Sequence, residues 1–82
     1  MDYIEDFKSK MAVLFEGYRN DGCLEYEVHD NTYFVTKKDA AYMWAALDGA
    51  IALYNLEHPG ANLYNESSQK PNGWEMYRIL RD

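Results

Sequence analysis

An α+β fold, with two helices packed on one face of a small antiparallel sheet, is predicted by three features of the sequence. Residues 36–58, TKKDAAYMWAALDGAIALYNLEH, are the one stretch both long and apolar enough for a central helix. Residues 23–36 alternate in polarity across Asp30-Asn31, a pair suited to a tight hairpin turn. A chain of 82 residues has room for one core, so helices and strands must share it as two layers. The expected order is αββαββ or αββαβ, in a single domain over residues 1–82.

Asp2 and Glu5 stand where an N-cap and its return partner belong, and Ile4, Phe7, Met11, Leu14, Phe15 and Tyr18 recur at helical spacing. This predicts a first helix over residues 3–18 with one solvated face. Arg19-Asn20-Asp21-Gly22 is turn chemistry. From Cys23, Leu24, Tyr26 and Val28 point one way, while Cys23, Glu25, Glu27 and His29 point the other. With Asp30-Asn31 as a two-residue turn, Val28 pairs with Tyr33 and Tyr26 with Val35. The outward face is then Glu25, Glu27, His29, Thr32 and Phe34.

Thr36 and Asp39 suit a helix start, so the central helix is expected over residues 37–57, ended by His58-Pro59-Gly60. Ala40, Trp44, Leu47, Ile51 and Tyr54 form one apolar stripe; Met43, Ala46, Ala50 and Leu53 form a second. Two stripes imply either a sandwiched helix, the simpler expectation, or one stripe exposed for a partner. Gly49 in mid-helix is expected to reflect close packing, a partner groove being the alternative. Beyond the helix, residues 60–65 fit a short strand, 66–73 a polar loop, and 74–80 a terminal strand or a short helix, with length and aromatic content favouring the strand. The strongest burial is expected for Phe7, Met11, Leu14, Tyr26, Val28, Val35, Trp44, Leu47 and Ile51.

Composition narrows the function classes. Apolar residues make up 48% of the chain, above what disordered chains carry, and eight tyrosines suit half-wet contact surfaces. The single cysteine excludes an internal disulfide; with no charged, apolar leader at the start, it points to the cytoplasm. No apolar run is long enough to span a bilayer, so no membrane partner is expected. The net charge is −6, and residues 20–36 carry Asp21, Glu25, Glu27 and Asp30 without Lys or Arg. Such a segment repels phosphate backbones, which argues against direct nucleic-acid binding and for a basic partner surface; plain solubility is the simpler use of the same charge.

Site chemistry is sparse. His29 and His58 lack the spacing of a metal motif, the serines sit in no nucleophile elbow, and the glycines are too scattered to cradle phosphate. No catalytic residue, metal or cofactor is assigned, and the chain is read as a non-enzyme. Glu25, Glu27 and His29 are the only enzyme candidates, on a strand face without the apolar pocket that separates the pKa values of a working acid pair. The expected partner-binding set is Glu25, Glu27, His29, Asp30, Phe34, Asp39 and Glu57. In overall profile, a short acidic, tyrosine-rich domain without catalytic motifs, the chain resembles phage-encoded anti-CRISPR and antirestriction proteins. That resemblance implies an inhibitor that occupies the basic, nucleic-acid-binding surface of a host defence protein. The alternative is an accessory, regulatory or structural subunit that dimerises through the apolar central helix.

Overall fold

The computed structural model describes residues 2–22, 24–69 and 73–82, with the side chain of Gln69 excluded. The expectations for Cys23 and for the loop residues 70–72 lie outside the described residues. The order is αββαββ: α1 (Tyr3–Asn20), β1 (Tyr26–His29), β2 (Thr32–Thr36), α2 (Ala40–Glu57), β3 (Leu63–Gln69) and β4 (Trp74–Arg81), with a 3-10 turn at Lys37–Asp39. The four strands form one antiparallel sheet in the order β1-β2-β4-β3, and both helices pack on its inner face.

Local chemistry explains most boundaries. Asp2 caps α1, its carboxylate accepting the Glu5 backbone N–H at 3.1 Å. The β1–β2 hairpin has the expected register, Tyr26 opposite Val35 and Val28 opposite Tyr33, with Asp30 at φ 55° in the turn. The start of the second helix differs. Thr36 makes no side-chain cap; a 3-10 turn opens the segment, and the Asp39 carboxylate accepts the Glu25 backbone N–H instead. The polar segment expected as a loop from residue 66 is strand as far as Gln69, because β4 pairs with it continuously from Leu63–Arg81 to Gln69–Glu75. Ladder hydrogen bonds, not apolar alternation, hold this edge strand.

The core is built from Phe7, Met11 and Phe15 of α1, from Met43, Leu47, Ile51 and Tyr54 of α2, and from Tyr33, Val35, Leu63, Tyr77 and Ile79 of the sheet. Phe15 meets Tyr33 and Tyr26 edge-on, with ring centroids 5.8 and 5.3 Å apart. Tyr54 donates a 2.7 Å hydrogen bond to the Asp6 carboxylate. Burial, then that bond, pushes the Tyr54 hydroxyl up to about 12; the same bond, helped by Lys10, holds Asp6 below the usual carboxylate value.

Four residues expected inside are not fully buried. Tyr26 is half-buried, Leu14 and Val28 reach the surface, and Trp44 is 49% exposed. Val28 lies on an edge strand and borders an open groove against Glu5, Lys8, Ser9 and Ala12 of α1, which leaves it only partly covered. The α2 segment turns Ala40, Met43, Leu47, Ile51 and Tyr54 inward, a selection from both expected stripes, and leaves Trp44, Leu53 and Leu56 in solvent. The helix is therefore covered on one side only.

Gly49 is not explained by close packing either, since a Cβ built on it meets nothing within 4 Å. Gly49→Ala is expected to stabilise the fold by about 0.5–1 kcal/mol through helix propensity, as measured by urea unfolding.

Candidate functional site

The face of the sheet turned away from the helices is the candidate site. Strand residues alternate between faces, and paired residues share one, so the register fixes its composition. One row across the sheet is Glu27, Phe34, Met76 and Ser68; the next is His29, Thr32, Arg78 and Glu66. Trp74 follows Thr36 below them, and Leu80 meets Tyr64 above. The result is an aromatic and apolar band, half-buried at Phe34, Trp74, Met76 and Leu80, with carboxylates at both sides.

Within this face, β1 and β2 bring Glu27, His29 and Phe34 together. The His29 ring stands edge-on to Phe34 at 5.3 Å, and His29 Nε2 lies 3.3 Å from a Glu27 carboxylate oxygen. The Glu27 and His29 side chains are each 66% exposed, so they stand in open water and not in a cleft. Asp30 lies beside them in the turn.

The remaining expected site residues stand elsewhere. Glu25 is exposed just ahead of β1, and its backbone is tied to Asp39, so Asp39 serves the fold by fixing the approach to the strand. Glu57 sits on the opposite layer, lining a groove between α1 and α2 with Lys10, Leu14, Ala46, Gly49 and Leu53. It does not join the hairpin acids.

Four of the eight basic residues are engaged with partners other than the hairpin acids. Arg19 donates to the Tyr26 carbonyl and stacks on the Tyr26 ring; Arg81 donates to the carbonyls of Gly60 and Ala61. Lys8 pairs with Glu5, and Lys10 with Asp6. Arg78 is the one Lys or Arg in the two central rows, standing between Thr32 and Glu66. The contribution of β3 and β4 to this surface was not foreseen, because its members come from a segment read as loop and a strand whose pairing is non-local. The alternation of Trp74, Met76, Arg78 and Leu80 was the available signal.

Among the described residues, no group of three or more His, Cys, Asp or Glu is placed to hold a metal ion. No helix among them is long and apolar enough to cross a membrane. No known protein family, curated protein or solved structure matches the chain.

Proposed function

We propose that the protein acts by binding another protein through the outer face of its sheet, with Glu27 and Asp30, and Glu25 just beside that face, meeting basic side chains and Phe34 providing the apolar anchor. The observation that carries this reading is the cluster in which Glu27, paired across from Phe34, and His29, edge-on to its ring from the next row, border Phe34 on an uncovered face. Exposed acids steer encounter with a basic surface, and a half-buried aromatic at their centre supplies the contact that slows release. A surface evolved to hold nucleic acid offers such basic groups. In this reading the chain is an acidic inhibitor of a nucleic-acid-binding defence protein, of the anti-CRISPR or antirestriction type, working in the cytoplasm without a cofactor.

Paired variants test it. Joint reversal of Glu25 and Glu27 to Lys is expected to slow association and flatten its salt dependence; Phe34→Ala is expected mainly to speed dissociation. Surface plasmon resonance against the captured partner separates the two. Binding that ignores both changes and does not weaken with salt would reject this surface.

A second reading, a regulatory or structural subunit, has its own support: Leu53 and Leu56 are 58% and 77% exposed, and Leu53 lines an open groove of about 300 Å³ with Ala46, Gly49 and Ala50. Leu53→Glu together with Leu56→Glu would abolish an association made there and leave the sheet face intact.

A further inference from the structure

β1 is an edge strand, so its ladder to β2 uses only half of its backbone groups. The Arg19 guanidinium reaches the Tyr26 carbonyl at 2.9 Å from outside the sheet, which places the Tyr26 N–H and C=O on the open edge. By antiparallel alternation Val28, two residues on, turns both of its groups the same way. The inner side chains of these two residues, with Tyr33 behind them, form one wall of an open groove of about 270 Å³, and Glu5, Lys8, Ser9 and Ala12 of α1 form the other. Glu5 and Lys8 pair with each other at 3.3 Å on the helix side. On the outer side of the strand the charge is acidic. Glu27 stands between Tyr26 and Val28, Glu25 precedes the strand, Asp30 follows it, and residues 20–36 contain no Lys or Arg.

We propose that an extended segment of the partner protein adds to β1 as a further strand, with apolar side chains entering the groove under α1 and a Lys or Arg between them facing Glu27. This rests on the reading of the chain as a binder of a basic protein, and it names how that protein is held. The alternation of a strand sets the pattern. Residues opposite Tyr26 and Val28 point inward, into the groove, and the residue between them points outward beside Glu27. The two Val28 groups and the Tyr26 N–H offer about three backbone hydrogen bonds, the Tyr26 carbonyl being held by Arg19. The groove is at the lower limit of small-molecule pockets, about 300–1,000 Å³, and Val28 opens it along the edge at 37% exposure, which suits side chains entering from a strand. Charge selects the occupant. A second copy of the chain, at a net charge of −6, and a phosphate backbone are both repelled by Glu25, Glu27 and Asp30, whereas a cationic protein strand is drawn to them.

An NMR titration of the full chain with a synthetic peptide of alternating Val and Lys tests the proposal, with peptides alternating Ser and Lys, or Val and Glu, as controls. The Val–Lys peptide is expected to slow exchange of the Val28 and Tyr26 amides, to shift Ser9 and Ala12, and to bind at least about ten-fold more tightly than either control. Its affinity falls as NaCl is added. Ala12→Trp fills the groove from an exposed position on α1 and weakens that peptide at least about ten-fold, with circular dichroism unchanged. The proposal is overturned by no binding at about 1 mM, by a control that binds as well, or by shifts confined to Phe34, Met76 and Leu80 with the Val28 amide unprotected. The reading of the sheet face fails separately, through partner binding that ignores Phe34→Ala, a change that touches neither the Val28 backbone nor the groove.

Discussion

Phe15→Ala is expected to lower the unfolding free energy by about 3–5 kcal/mol, the range for removing a buried aromatic from a packed core. Phe15 is fully buried, and its ring meets Tyr18, Tyr26 and Tyr33, joining the last turns of α1 to both strands of the hairpin. The void would lie between layers that are anchored elsewhere, by the ladder to β4 and by Tyr54 on Asp6, so little collapse can relieve it. In a chain of this length such a loss is a large part of the total stability. Chemical denaturation measures it, and a change below ~1 kcal/mol would show that the α1–hairpin contact is not as described.

Leu47→Ala is expected to cost about 2–5 kcal/mol, while Trp44→Ala, three residues away on the same helix, costs less than about 1 kcal/mol. The residues differ in where α2 turns them: Leu47 is fully buried in the core and Trp44 is half in solvent. Urea midpoints for the two variants check the rotation of the helix directly. Equal losses would mean that the Trp44 stripe, and not the Met43–Leu47 side, faces the sheet.

That rotation was the least legible part of the fold. α2 is apolar nearly all round, so no polar face oriented it, and the spacing of Ala40, Leu47, Ile51 and Tyr54 fits with either Met43 or Trp44 between them. By contrast, the α1 cap, the hairpin register and the helix–sheet layering rest on local rules that Asp2, Asp30-Asn31 and the alternation of residues 24–35 satisfy without help from distant residues. β3 was legible only as far as about Asn65. Glu66, Ser67 and Ser68 carry no apolar alternation, and their strand conformation comes from pairing with Arg78, Tyr77 and Met76 far along the chain. The same non-local pairing explains the candidate site. Glu27, His29 and Phe34 could be placed together from the hairpin alone, whereas Met76, Arg78 and Glu66 enter the surface only when the sheet is assembled, and Glu57 leaves it because α2 lies on the other layer.

The function proposed for this surface is tested most directly by capturing proteins from a phage-host bacterial lysate on the immobilised chain, identifying what is retained, and measuring that protein's affinity for nucleic acid by mobility shift with and without the chain. The account predicts retention of a basic nucleic-acid-binding protein that releases its nucleic acid when the wild-type chain is added in equimolar amount. It further predicts no release with the Glu25/Glu27 double reversal or with Phe34→Ala. Nucleic acid that stays bound in the presence of saturating chain, or release that both variants achieve as well as the wild type, would contradict it.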